Sequence, residues 1–518
     1  MLETVPMIEP IAGFYHPKTD PFRHQRGELE YMWDLDHHGH LFEMGTGKSK
    51  IFIDNTFMLR EAKKINGALL FAPKGVFTNW YYQELPAHAP DRHMKTIYTH
   101  LWRGGGTATE KRQMEWMLDA QQFVFLLMNT ESVSMSKKAM DFALEFVKRR
   151  RVLIGVDEAS GIKNPEAKRT AKLIRLARLC PYRRILTGTP ITRSPLDLFS
   201  EFEFLQEKCL GYSSYYGFRA RYAVLEDKEI GRVNIETMRA PTAKVVVGHR
   251  HTDELAAKVA EHASVVLSKD CQDLPPVIEH VRHVEMTEEQ LRLYSDLVNY
   301  ATTEIKAGTF LTVTHAIALF VRFQQILCGH IVDDDKVVHD IQTKRLDVLQ
   351  EVVEETSGRN LVWCLFQRDV EQVAERLMKM GRRVVCYYGK STDAELEDAK
   401  FRLQGSVPVM RGGQVVDMRY CPDSERADDF VGTASKGGYG ITLTAAKNRI
   451  YYSCGPNAEH RWQSEKRNHR HGQTETVNQI DLFCRGTVEE RWVEILKTKK
   501  TLADVVMEGP ARVLEFFS

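Results

Sequence analysis

The chain has 518 residues, more than one compact domain holds and enough for two or three. Hydrophobic residues at 43% and charged residues at 27% are ordinary for a globular protein, and a net charge of +1 excludes a basic coat, so any nucleic-acid contact must be gathered locally in a cleft. No apolar run of roughly eighteen residues occurs and the opening MLETVPMIEP lacks the basic-then-apolar pattern of a secretory leader, so neither a membrane span nor a leader is expected.

Phe22-Arg23-His24-Gln25 comes first in chain order. An aromatic ring can stack on a purine while the Gln25 amide offers its edge one donor and one acceptor; the same residues also suit an ordinary loop. Glu43-Met44-Gly45-Thr46-Gly47-Lys48-Ser49 then leads into a predicted helix over 50–59. Glycines let backbone N–H groups turn toward phosphate oxygens, and a helix N-terminus adds partial positive charge. Lys48 is expected to reach the β- and γ-phosphates and Ser49 to bind Mg²⁺. Phe42 stands where the phosphate-loop pattern has its first glycine.

Apolar runs GALLFA (67–72), FVFLLM (123–128), VLIGVD (152–157) and RILT (184–187) read as strands of a parallel sheet buried on both faces. The third ends in Asp157-Glu158, where a carboxylate projects into the crevice that binds nucleotides in α/β folds. Asp157 is the candidate Mg²⁺ ligand and Glu158 the candidate general base. Alone, an acidic pair is simply a polar loop start; with the phosphate loop, in this order, it points to a nucleotide hydrolase.

Charged helical patterns dominate from about 205 to 346, as in TEEQLRLYSDLVNYA (287–301) and THAIALFVRFQQIL (314–327), with DLPP (273–276) dividing them. Strands return over 360–366, 383–387, 429–433 and 449–453, and Gly405–Ala427 reads as a hairpin around Gly412-Gly413. Gln463, Arg467 and Arg470 are spaced by four and three, which predicts one shared helical face. Guanidinium groups aimed at a γ-phosphate from another lobe act as arginine fingers. Nine cysteines are scattered without a C-x-x-C pair, which argues against a zinc module or a disulfide framework and suits a reducing cytosol.

In this order the motifs resemble the Swi/Snf branch of helicase superfamily 2. The resemblance runs from Phe22 to about Val505: EMGTGKS; APKGVFTNWYYQE with Pro73, Trp80 and Glu84; DEASGIKN with Ile162-Lys163-Asn164; LTGTPI; DLPP; GGYGITLTAA; and QSEKRNHRHGQ. It implies an α/β fold of two RecA-like lobes with parallel sheets, joined by helical insertions. The expected division is 1–204, 205–343 and 344–518. It implies ATP and Mg²⁺, duplex-DNA-stimulated ATP hydrolysis and translocation, with Gly45, Met44, Thr46 and Gly47 around the phosphates. Thr187, Gly188, Thr189 and Gln463 would couple nucleotide to DNA. Lys74, Asn129, Thr130, Lys436 and Thr444 would be DNA-backbone contacts, a grip without sequence preference; each also suits a polar surface position. Ser160 and Thr442 stand where the family usually has histidine and asparagine.

No chromatin-reading module extends the core, so the compact form is similar to bacterial or bacteriophage members and nucleosome sliding is not expected. Cytoplasm of a bacterial cell or phage-infected host, double-stranded DNA, and replication or recombination proteins are the expected setting and partners, with no membrane. The competing readings are a strand-separating DNA or RNA helicase and a scaffold with a dead nucleotide site. IKN and DLPP argue against the first; Lys48, Asp157, Glu158, Arg467 and Arg470 argue against the second.

Overall fold

Short apolar runs become strands of two parallel sheets, inner ones except for the run at 383–387, which forms an edge strand. The computed structural model describes residues 9–517 apart from 75, 105, 189–193, 230–241, 268–273, 307–312, 334, 336, 412–413, 438–440, 471 and 499–509. The chain divides into two units, 1–273 with 410–416 and 274–409 with 417–518. The 205–343 stretch therefore contributes to both.

The first unit is built on β1 (His37–Phe42), β2 (Gly67–Ala72), β3 (Ile97–Leu101), β4 (Phe123–Asn129), β5 (Val152–Asp157), β6 (Tyr182–Thr187) and β9 (Ala263–Val266), with α1 (Arg23–Met32) and α2 (Lys48–Glu61) ahead of and after β1. The sheet order is β3-β4-β2-β5-β6-β1-β9, and every pairing is parallel. β2 and β5 are buried along their whole length, as both-face coverage by helices demands. Leu69, Phe71, Leu126, Ile154, Val156, Phe146 and Phe202 lie in one continuous core. Between β6 and β9 the chain forms helix Leu198–Leu205, helix Tyr215–Tyr222 and an antiparallel pair, β7 (Ala223–Glu229) and β8 (Thr242–His249).

β1 is the strand that the apolar pattern does not reveal. Its sequence HHGHLF holds only two apolar residues, yet five of its six residues are buried. Two of its histidines are held inside on one nitrogen each: His40 Nδ1 lies 2.9 Å and His38 Nε2 3.1 Å from Glu28 Oε1 on α1, while His40 Nε2 and His38 Nδ1 are buried without a hydrogen-bond partner. Burial pushes the His40 imidazole down to about 4, and the two imidazoles outweigh burial to hold the Glu28 carboxyl far below the usual carboxylate range.

The second unit has β10 (Val277–Val284), β11 (His330–Val332), β12 (Val338–Asp340), β13 (Asn360–Cys364), β14 (Val384–Tyr387), β17 (Asp429–Thr433), β18 (Asn448–Tyr451) and β19 (Val477–Cys484), while β15 (Ser406–Arg411) and β16 (Gln414–Tyr420) divide between the units, since 410–416 groups with the first. Six of these form a parallel sheet in the order β10-β19-β18-β13-β17-β14. Helices Glu288–Lys306 and Val313–Cys328 pack beside it, with Phe320, Val362, Val431, Ile450, Ile480 and Trp492 in the shared core. β15 and β16 pair as the expected hairpin; its Gly412-Gly413 turn lies outside the described residues. The α/β class and the two parallel-sheet lobes are as expected.

Candidate functional site

The chain leaves β1 at Phe42, turns through Glu43–Gly47 and enters α2 at Lys48. At Gly47 a side chain is excluded twice: φ is +88°, and an added Cβ would lie 2.0 Å from Gln25 Nε2. The loop is braced from outside and inside. His24 Nε2 and Gln25 Nε2 lie 2.9 and 3.1 Å from Thr46 O, and the Thr46 hydroxyl donates to Glu43 O at 2.7 Å. Lys48 Nζ donates to Phe42 O at 3.0 Å and lies 3.5 Å from Glu43 O. Ile51 N–H donates to Gly47 O at 3.3 Å, so the amides of 48–50 precede the first intrahelical donor, the arrangement that binds anions.

Gln25 is buried, and its amide is employed within the protein: Oε1 accepts from Phe22 N–H at 3.0 Å while Nε2 holds Thr46 O. It is a brace that fixes the loop, joined to a neighbour ring pair in which Phe22 and His24 stack at 5.9 Å.

Asp157 ends β5 and is buried. Trp80 Nε1–H donates to its Oδ2 at 2.7 Å and Glu158 N–H to its Oδ1 at 3.0 Å. Burial pushes the Asp157 carboxyl up; the Trp80 donor, the Lys48 charge and the Glu158 amide pull it back, and Glu84 adds to the rise. Trp80 was legible as a motif residue, but its hold on the acidic pair was not. Glu158 sits at φ +52°, a left-handed conformation that costs a non-glycine residue on the order of 1 kcal/mol or more. That kink ends the run of β5 and starts the 3₁₀ turn Ala159–Ile162.

Strand register lines these residues up. Leu41 pairs with Thr187 and Asp157 with Leu186, so the loop strand, the acidic strand and the buried Thr187 end at one level. An added Cβ at Gly188 would lie 2.6 Å from Met44 Cγ and 3.6 Å from Lys48 Nζ, so the coupling motif touches the phosphate loop directly. Thr189 lies outside the described residues. Glu201, on helix Leu198–Leu205, was not foreseen. It is fully buried, neither carboxylate oxygen has a hydrogen-bond partner, and burial with Asp197 and Glu158 nearby pushes it up to about 8.

In the second unit the helix carrying Gln463 runs Ala458–Glu465 and stops short of Arg467 and Arg470, which corrects the expected shared helical face. The physical reason is competition for carbonyls. Arg449 Nη1 takes Glu465 O at 2.5 Å, and Arg467 Nε takes Gln463 O at 2.8 Å. Lys466 N–H and Arg467 N–H then tighten to i−3 acceptors, Gln463 O and Ser464 O. Arg467 is buried and also donates to Ile441 O at 3.1 Å, while Arg470 is half-buried in the following bend. Gln463 is buried with its Nε2 3.4 Å from Glu459 Oε1. His469 Nε2 lies 2.9 Å from Pro275 O, which joins the basic segment to the described part of DLPP.

The five candidate surface contacts fare unequally. Lys74 is exposed just beyond β2. Asn129 ends β4, where its Oδ1 accepts from Glu131 N–H at 2.7 Å. Thr130 is buried, so its side chain does not reach solvent. Lys436 donates to Ser391 O at 2.6 Å and lies over the Tyr387 ring. Thr444 is half-buried, with Oγ1 3.5 Å from Gln404 Nε2.

The SNF2-related domain model matches residues 24–330. The ATP-dependent helicase fft1 of Schizosaccharomyces pombe is 24% identical over 497 residues, 89% of this chain and 50% of its own. The DNA repair and recombination protein RAD54B of Gallus gallus is 24% identical over 506 residues, 90% of this chain and 51% of its own. The chain thus spans about half the length of these curated relatives. The Sulfolobus solfataricus SWI2/SNF2 ATPase core in complex with dsDNA aligns over 99% of this chain and 96% of that one, at 20% identity and a TM-score of 0.40. The domain model covers more than half of the sequence, from the residue before Gln25 to the end of the second long helix, and the protein belongs to the SNF2-related domain family.

Proposed function

We propose that the protein is an ATP hydrolase that translocates on double-stranded DNA in the manner of the Swi/Snf branch, remodelling DNA or displacing bound proteins. One observation carries the reading: a braced phosphate loop, a buried strand-end aspartate within reach of the Lys48 charge, and Thr187-Gly188 meet at one end of one parallel sheet.

Loop amides and the N-terminus of α2 hold the phosphates. Lys48 exchanges the Phe42 carbonyl for β- and γ-phosphate oxygens. Ser49 and Asp157 fit Mg²⁺, since a hydroxyl and a carboxylate are hard oxygen donors and Trp80 and Glu158 fix the carboxylate's orientation. Bound there, Mg²⁺ supplies neutralisation of phosphate charge. Glu158 accepts the proton of the attacking water, and Arg467 and Arg470 of the second unit stabilise charge on the γ-phosphoryl group. Thr187, Gly188, Thr189 and Gln463 relay the nucleotide state. Lys74, Asn129, Lys436 and Thr444 are proposed to grip DNA phosphates. The proposed setting is the cytoplasm of a bacterial cell or phage-infected host, with replication or recombination proteins as further partners.

Phosphate release with duplex DNA, single-stranded DNA and RNA tests the reading. Duplex DNA should stimulate most, and Glu158→Gln should abolish turnover while retaining nucleotide binding. Equal stimulation by single-stranded RNA, or normal turnover in Glu158→Gln, would overturn it.

A further inference from the structure

The edge of the first unit opposite β3 gathers three soft donors that the nucleotide chemistry does not use. His37 opens β1, His262 immediately precedes β9, and Cys209 lies in the turn that follows helix Leu198–Leu205. Each is half-buried. His37 Nε2 and His262 Nδ1 are 3.2 Å apart, and one donor atom from each of the three residues lies within 4.8 Å of the other two. We infer that His37, Cys209 and His262 bind a zinc-class divalent ion that pins the turn after helix Leu198–Leu205 to the adjoining ends of β1 and β9.

The spacing is the main support. Two imidazole nitrogens about 2.0–2.1 Å from a tetrahedral zinc ion stand roughly 3.3 Å apart, and a thiolate sulfur at about 2.3 Å stands roughly 3.5 Å from each. The histidine pair is already at that separation, and Cys209, within 4.8 Å of both, needs a movement of at most about 1.3 Å. Two nitrogens and one sulfur favour Zn²⁺ over Mg²⁺ or Ca²⁺. Partial exposure leaves the fourth position to water. The charges acting on Cys209 are the Glu203 and Glu261 carboxylates against the Arg183 guanidinium. Asp36, Arg183 and Arg184 act on His37. The Arg184 guanidinium is committed to Asn55 Oδ1 and to the carbonyls of Met32 and Leu35.

A second cluster close by shows what a pure hydrogen-bond arrangement looks like. In Glu28, His38 and His40 both imidazoles converge on the same carboxylate oxygen, and His38 Nε2 also lies 3.0 Å from Ser264 Oγ. A cation there would have to displace three bonds, against the single His37–His262 hydrogen bond at the proposed site. The donors of the proposed site are widely separated along the chain, so cysteine spacing alone points away from zinc while the fold assembles three ligands.

The test uses the full chain, dialysed with Zn²⁺ and then against a weak chelator. Elemental analysis should find one zinc per chain. Competition with a chromophoric chelator should show Cys209→Ser and His262→Asn each weakening zinc by more than about 100-fold, since loss of a ligand exceeds the 10–100-fold of outer partners. His38→Asn should leave it unchanged. Co²⁺ in the wild-type chain should give a thiolate-to-cobalt charge-transfer band, a readout that survives if a variant fails to fold. No bound zinc, no such band, or zinc retained in Cys209→Ser and lost in Glu28→Gln would each overturn the site.

Discussion

Replacing Trp80 by Phe tests the hold on the acidic pair. The indole N–H lies 2.7 Å from Asp157 Oδ2, and both residues are buried. A hydrogen bond to a charged group contributes about 1.5–3 kcal/mol. Trp80→Phe also loses packing, which a double-mutant cycle with Asp157→Ala cancels, so the coupling energy should fall in that same range. The pH dependence has a definite sign. Burial raises the Asp157 carboxyl in the fold, and the Trp80 donor lowers it. Without that donor the folded state disfavours the carboxylate further, so the deficit is full at pH where the carboxylate is ionised and shrinks as pH falls and the proton is taken up. Native-state hydrogen exchange of the β5 amides, across acidic to neutral pH, reads both quantities locally. Additivity to within about 0.5 kcal/mol, or a deficit independent of pH, would refute the assignment.

Three more outcomes are expected. Arg470→Ala should retain nucleotide and duplex binding and lose roughly 10³–10⁵ in DNA-stimulated turnover, whereas a merely solvated arginine would cost about half a kcal/mol of stability; steady-state kinetics separate the two. Gly47→Ala should weaken ATP binding, measured by titration calorimetry, and adding Gln25→Ala should restore it only in part, because the clash is relieved while the +88° backbone is not. Glu201 is held at about 8 in the fold against an ordinary 4.5, so the folded chain keeps a proton that the unfolded chain releases, and stability falls as pH rises from 4.5 to 8. Glu201→Gln should remove that slope, stabilising the protein by several kcal/mol at pH 9 and hardly at pH 4, as seen in urea midpoints across pH.

What was legible in the sequence follows the physics of burial. β2, β4 and β5 carry apolar side chains to both faces, and their runs announce them. β1 reads as polar because two of its histidines are anchored inside by Glu28, a partner that no local pattern reveals. The phosphate loop and the Asp157-Glu158 pair are contiguous and were found by spacing. Trp80 and Glu201 act on that pair from elsewhere in the chain, through folding alone. Periodicity predicts a helix that runs over Arg467 because it counts side chains, whereas Arg449 and Arg467 consume the carbonyls that would have continued it. Residue type suits the Gln25 amide to a base edge, and in the fold that amide is engaged with Phe22 and Thr46, contacts that no local pattern announces.

β9 is the strand through which the first unit closes. After β6 the chain departs for more than fifty residues, forms helices Leu198–Leu205, Tyr215–Tyr222 and Thr252–Ala260 and the β7–β8 pair among its described residues, and comes back beside β1. Val266 pairs with Phe42, and Glu43 N–H donates to Val266 O at 2.8 Å, so the returning strand abuts the first residue of the phosphate loop. A tug on the excursion is therefore delivered lengthwise, as shear across a parallel ladder whose rungs all load together. The nucleotide loop is thereby tied at its first residue to the strand on which the excursion returns, so a load on that strand meets Glu43 before it meets any other part of the loop.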